Sequence, residues 1–219
     1  MKKFVVLVGM LLAAISYANA APSSDDGFTN PATLNFVGFN GGQWQNGYPY
    51  YVNIKGIPGI VDVMCDDYAH GGGPGITWLA NISNLGTQGI GSARFNLLPD
   101  ALTLYKEAGW ILLQTPITPS SQYADMNYAV WHIFDPAAPL DSGAMVWLDD
   151  AEAEARLGFP GVPFDKVFII TPVNQYDPNP DSMQEFLTID AKVATTPEPG
   201  TLLLLGTGLL GLWKRKRLS

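Results

Sequence analysis

The 219-residue sequence predicts an α+β fold: a β-sandwich or barrel-like sheet with two or three helices inserted in its middle. Three observations predict it. Apolar residues alternate with polar ones in short segments between residues 34 and 82, the period of strands. Between residues 99 and 157 the period lengthens to that of helices. Between residues 165 and 190 strand patterning returns. Strands, then helices, then strands describe a sheet carrying a helical insertion. No repeat at solenoid or propeller spacing competes with that reading.

The chain opens with Lys2 and Lys3, an apolar run from Phe4 to Ile15, and Ala18-Asn19-Ala20. Charged, apolar and small-residue regions in that order predict a signal peptide over residues 1–20, cut after Ala20. A single globular exported domain is expected over 21–196. Its first strand is expected at Leu34 to Phe39. Tyr48 to Lys55 and Ile60 to Cys65 follow as a hairpin around the turn Gly56-Ile57-Pro58-Gly59. In the second arm Val61, Val63 and Cys65 share one face, and Asp62 and Met64 the other. Asp66 to Gly75 is a glycine-containing loop. Ile76 to Ile82 alternates again and is expected to join the sheet.

Pro99 to Gln114 is expected to be helical, with Leu102, Tyr105, Ala108 or Gly109, and Leu112 on one face. Pro116 and Pro119 end it. Ser120 or Ser121 is expected to cap a second helix running to Phe134, with Asn127, Val130, Trp131 and Phe134 on one face. Asp135-Pro136 stops that helix. A third, shorter helix is expected over Asp149 to Leu157, its acids near the positive helix start and Gly158 at its end. Asp165 to Val173 and Gln184 to Asp190 are the last strands, joined by a turn at Asp177 to Asp181.

The last stretch has three parts: Pro197-Glu198-Pro199, an apolar run from Thr201 to Trp213, and the cluster Lys214-Arg215-Lys216-Arg217. The run of about 13 residues is short of the roughly 20 that span a bilayer comfortably. The cations hold its far end in the cytoplasm. A single-span C-terminal anchor is the plain reading. In its three-part order, residues 197–219 resemble the PEP-CTERM sorting signal of Gram-negative bacteria. That resemblance implies a short membrane helix at 201–213 that holds the protein in the inner membrane. Pro197, Glu198 and Pro199 would be the sorting motif, recognised and cleaved by an exosortase. Signal peptidase at the other end and the exosortase are then the expected processing partners. The expected destination is the cell surface or extracellular matrix.

Charge narrows the function further. Half of the 12 lysines and arginines lie in the two terminal segments, while all of the 20 acids except Glu198 lie in the domain. Six cations against nineteen acids leave the domain at −13. That balance argues against nucleic acid as a partner. One cysteine, Cys65, excludes an intrachain disulfide. Cys65, together with Ala129-Val130-Trp131, resembles the thioester domains of bacterial surface adhesins. In that family a strand-end cysteine is joined to a glutamine in a Thr-Gln-x-Ala-aliphatic-Trp helix. The resemblance implies a β-rich domain with a helical part, and covalent capture of a nucleophile on a host surface. Here Met126 stands in the threonine position and Asn127 in the glutamine position, one methylene shorter. Cys65 and Asn127 are therefore the candidate crosslink. The plainer reading of Cys65 is a small buried hydrophobe on a strand.

Cys65, His132 and an aspartate could also be drawn as a hydrolase triad, though His132 follows Trp131 in an apolar helix. Asp177 to Asp181 has oxygen donors at alternate positions without the glycine of a calcium loop, and turn chemistry accounts for it. Asp66 and Asp67 with Asp62 could be drawn as a cation site. Gly71-Gly72-Gly73 lacks the Lys-Ser/Thr of a phosphate loop. The expectation is a non-enzymatic binding or adhesion-like domain, with no metal or cofactor, meeting a cell-surface or exopolysaccharide ligand. A covalent adhesin using Cys65 and a secreted hydrolase are the alternatives.

Overall fold

A computed structural model of the chain describes residues 30–39, 48–174, 183–189 and 193. Six strands form an antiparallel barrel: β1 (Ala32–Phe39), β2 (Tyr50–Ile54), β3 (Val61–Cys65), β4 (Thr77–Asn84), β5 (Phe168–Pro172) and β6 (Phe186–Thr188). Their order around the ring is β1-β2-β3-β6-β5-β4, and the ring is closed. Of the two expected sheet forms, the barrel is the one adopted. Closure pairs every strand on both sides, so none is left as an open edge. Three helices enter between β4 and β5: α1 (Ala101–Gln114), α2 (Tyr123–Phe134) and α3 (Ser142–Arg156).

Strand alternation splits the apolar residues into two cores. One lies inside the barrel and includes Leu34, Phe36, Val52, Ile54, Val61, Val63, Cys65 and Phe186. The other lies outside it, between the helices and one arc of the barrel. Met64 of β3, Ile169 of β5 and Leu187 of β6 meet Tyr105, Ile111, Leu112, Met126 and Val130 there. The end of β3 at Met64, with β6 and β5, is thus buried on both faces, which is why β6 has no exposed residue and does not alternate between buried and exposed positions. In β1, residues of the other face are partly buried or exposed, and the sequence alternates. Val61, Val63 and Cys65 do share the inner face. Asp62 points to solvent, and Met64 packs under the helices.

The helices correct three details. Leu102 is 45% exposed, and Ile111 joins Tyr105, Ala108 and Leu112 as the buried face of α1. No serine side chain caps α2: residues Ser120–Gln122 form a turn of 3-10 helix that leads directly into it. The third helix starts at Ser142 rather than Asp149. Asp141 caps it, its carboxylate accepting from the Ala144 amide at 2.8 Å. Asp149, Asp150, Glu152 and Glu154 therefore lie in its second half, away from the favourable helix start. Gly158 ends it as expected, with φ of 76°. The amides of Gly158 and Phe159 bond back to Ala155 and Glu154, the pattern of a left-handed C-terminal cap.

Residues 1–29, 194–219, and the turn from Asp177 to Asp181 are not among those described. The expected signal peptide, the 201–213 segment and the sorting motif therefore fall outside the structure. Among the described residues, no helix is long and apolar enough to cross a membrane.

Candidate functional site at the end of strand β3

Strand β3 ends at Cys65, and the chain enters an irregular stretch, residues 66–75, with no strand or helix. Helix α2 passes the same point. Its period places Asn127 and Trp131, one turn apart, on the side facing β3. The amide Nδ2 of Asn127 donates to the Cys65 carbonyl oxygen at 3.1 Å. Both residues are wholly buried. The two residues singled out as a candidate crosslink therefore do lie together. The amide is engaged by the cysteine's backbone, while its own Oδ1 is buried and accepts no hydrogen bond.

The sulfur has other company. Cys65 Sγ donates to the Asp67 carbonyl at 3.3 Å. Burial pushes the thiol well above its ordinary pKa. The nearby Asp67 and Asp66 carboxylates push the same way, and the Trp131 indole N–H only partly offsets them. That N–H faces a thiol that gives it no well-formed hydrogen bond. Around it, Trp131 packs against Tyr68 at 5.3 Å and Tyr128 at 5.4 Å between ring centroids. A thiol held protonated is a poor nucleophile.

Beside this pair lies a buried polar cluster that the sequence reading missed. Glu185, immediately before β6, accepts from Tyr105 OH, from Thr171 Oγ1, and from the Arg94 amide at 2.8 Å. Its carboxyl also faces that of Asp66, whose oxygens make no well-formed hydrogen bond. Burial raises the pKa of both. The charge of Glu185 raises Asp66 further, whereas hydrogen bonds from Thr171, Tyr105 and Arg94 pull Glu185 back down. Asp66 is thus the carboxyl of the two that burial and charge push further toward its protonated form, and Glu185 the acceptor with several donors.

Asp67 faces basic partners. Its Oδ2 lies 3.0 Å from Arg94 Nε, an ion pair in which the N–H does not point squarely at the oxygen. Its Oδ1 lies 2.8 Å from His70 Nδ1, which in turn is 2.9 Å from Arg94 Nη1. A protonated Nδ1 donates to Asp67 and a bare one accepts from Arg94, so the ring has a partner in either tautomer. Arg94 Nη2 donates to the Met183 carbonyl at 2.8 Å. Gln184 Nε2 donates to the carbonyls of His70 and Asp67.

The other sequence candidates separate. His132 Nδ1 lies 3.2 Å from the Ala138 carbonyl, so the contact it makes is with the turn that follows its helix rather than with the cysteine. Asp62 is exposed on the outer face of β3 and does not join Asp66 and Asp67. Among the described residues, no group of three or more His, Cys, Asp or Glu side chains could hold a metal. Elsewhere, an open groove of ≈ 500 Å³ runs between α1 and the loop before β5, lined among others by Trp110, Pro116, Pro160 and Lys166.

Comparison with known proteins gives the tail a clear match. Residues 195–217 match the family model described as the PEP-CTERM protein-sorting motif, and Pro197, Glu198 and Pro199 fall inside that match. No curated protein matches the chain. Among solved structures, the chain is similar to the N-terminal thioester domain of a surface protein from Clostridium perfringens. That likeness has 13% identity and a TM-score of 0.45, covering 73% of this chain and 98% of that one. It is also similar to the N-terminal domain of the Streptococcus pyogenes pilus tip adhesin Cpa, at 12% identity and a TM-score of 0.44, covering 76% of this chain and 95% of that one. The chain thus carries a PEP-CTERM sorting motif, which implies export and processing by an exosortase.

Proposed function

We propose that the protein is displayed at the cell surface or in the extracellular matrix, where its barrel domain serves binding or adhesion-like attachment without catalytic turnover. In this reading the domain spans residues 21–196, between a signal peptide removed at Ala20 and a sorting signal at 197–219. The segment 201–213 holds the precursor in the inner membrane until the exosortase acts at Pro197-Glu198-Pro199. The observation that supports a non-catalytic domain is the state of Cys65. Its thiol is wholly buried and raised in pKa, and it donates to a backbone carbonyl rather than to a base. A nucleophile prepared for turnover has an activating base within reach.

The partner on the outside is a cell-surface or exopolysaccharide ligand, for which the groove beside Trp110 is the candidate seat. A second reading rests on the Asn127 side chain. Its carboxamide sits against Cys65 with an unpartnered Oδ1, as an acyl donor for that cysteine would. In that reaction Sγ attacks Cγ, the C–N bond breaks, the thiol proton leaves with the nitrogen as ammonia, and a thioester remains.

Intact mass of the purified protein separates the two. Full mass, with one thiol titrating in denaturant, supports the non-covalent domain. A mass lower by about 17 Da, the ammonia that leaves, with no titratable thiol, establishes the crosslink. The processing half is read from the mature C-terminus. Trp213 and the Lys214–Arg217 cluster retained on protein outside the inner membrane would overturn it.

A further inference from the structure

The stretch from Asp66 to Gly75 lies across the end of the barrel where Cys65, Asn127 and Trp131 meet. One buried polar atom there has no partner, Asn127 Oδ1, and the Trp131 indole N–H meets only the thiol, in no well-formed bond. The cover is held in an unusual way. Its ends are fixed by backbone bonds, Asp66 to Glu185 and Gly75 to Phe36. Between them, the described hydrogen bonds that hold it to the rest of the chain come from side chains. Arg94 holds Asp67 and His70, and Gln184 holds the carbonyls of Asp67 and His70. Its apolar attachments are slight. Tyr68 leans on Trp131 yet is 42% exposed. Gly72 passes so close to the Met183 thioether that any Cβ there would overlap it.

We propose that residues 66–75 form a strap that opens as a unit while the barrel stays closed, making Cys65 a gated site for modification by thiol-reactive, disulfide-forming reagents. The sulfur donates to the carbonyl of a strap residue, Asp67, so lifting the strap removes its only described hydrogen-bond acceptor. The same movement uncovers the unpartnered Asn127 Oδ1 and the indole N–H beside the thiol, an acceptor and a donor placed to bind whatever reaches the sulfur. Segments pinned by few side-chain bonds and little buried apolar surface open locally at far lower cost than the whole fold. The glycines Gly71, Gly72 and Gly73 supply the backbone freedom the opening needs.

The proposal rests on the free-thiol reading of Cys65. The test is native-state labelling of the full chain with an aromatic disulfide. The Cys65 thiolate attacks one sulfur of the reagent, the S–S bond breaks, an aromatic thiolate leaves, and a mixed disulfide forms. Labelling is followed over a series of urea concentrations below the unfolding transition. A rate independent of urea is expected for the parent, since strap opening exposes little surface. His70→Ala and Gln184→Ala are each expected to label about tenfold faster, as each removes bonds that pin the strap. Ile111→Val in α1, destabilising but remote, is expected to leave the rate unchanged. A rate that rises steeply with urea and follows global stability in every protein overturns the strap. If both strap variants fail to fold, the urea dependence of the parent alone decides. Intact mass on the same sample distinguishes the failures. Loss of ammonia overturns the free-thiol reading and the proposal with it, whereas full mass with labelling tied to global unfolding overturns the strap alone.

Discussion

The inside of the barrel and the polar edge where β3 gives way to the strap are equally buried and are stabilised by opposite means. Inside, the side chains of Leu34, Phe36, Val52 and Val63 pack in one apolar cluster, and their burial is favourable in itself. At the edge, Asp66, Asp67, Arg94 and Glu185 are almost as deeply buried, and each loses hydration that only its partners return. The interior tolerates change in proportion to the volume removed. The edge responds to which partner is removed, and in one case its stability should rise.

The largest effect is expected at Arg94. Replacing it with Met removes the cation from Asp67 and the donor from the Met183 carbonyl while leaving both acceptors buried. A loss of about 4 kcal/mol is expected, measured by urea unfolding. A loss below 1 kcal/mol would show that solvent reaches Asp67 and that the edge is not truly buried. Inside the barrel, Leu34→Ala leaves a cavity in a closed ring and is expected to cost about 3 kcal/mol. Its unfolding should show the same urea dependence as the parent. The two sites differ in salt response, since only the edge involves charge.

Asp66 should break the pattern by sign. Its folded-state pKa lies above the unfolded value, so the folded state keeps a proton that the unfolded chain releases. Stability is therefore fullest below the unfolded carboxylate range and declines as pH rises toward the folded value. Asp66→Asn keeps a donor toward Glu185 and cannot ionise. It is expected to raise the melting temperature at neutral pH by about 3 °C and to bring no gain at pH 3. Equal melting temperatures at both pH values would mean that Asp66 carries no excess proton in the native state.

What the sequence revealed of these two regions differs for the same reason. The barrel interior was legible because a half-buried strand repeats every second residue, so β1 to β4 show themselves locally. Cys65 and Asn127 were legible as a pair through motif likeness, and the fold does place them together. The edge was not legible, because its members lie far apart in the chain and have no period. Arg94 meets Glu185 across 91 positions. The available hints were compositional: Glu185 is a charge immediately before the fully buried Phe186-Leu187-Thr188 strand, and Arg94 is one of only six cations in the domain. Helix α3 was placed too late because Ser142-Gly143 reads as loop. At Gly143 a side chain would meet the Asp125 carboxylate, which would have to turn aside.

The smallest expected effect tests whether the rule of the edge extends to the helical layer. Glu107 on α1 is largely buried, and burial, reinforced by the nearby Glu152 and opposed by Arg156, raises its pKa to about 7. The sign is that of Asp66. Below the unfolded value near 4.5 both states hold the proton, and as pH climbs toward 7 the folded state alone keeps it, so stability declines across that window. Glu107→Gln should therefore stabilise by about 1 kcal/mol at pH 7, a figure reduced for solvent screening around a partly wetted group, and by nothing at pH 4. Arg156→Gln should act in the opposite direction, since removing the one cation that favours the Glu107 carboxylate makes the parent's decline steeper. If Glu107→Gln instead lowers stability at pH 7, the carboxylate is paired as Asp67 is, and α1 meets α3 through an ion pair rather than a strained acid.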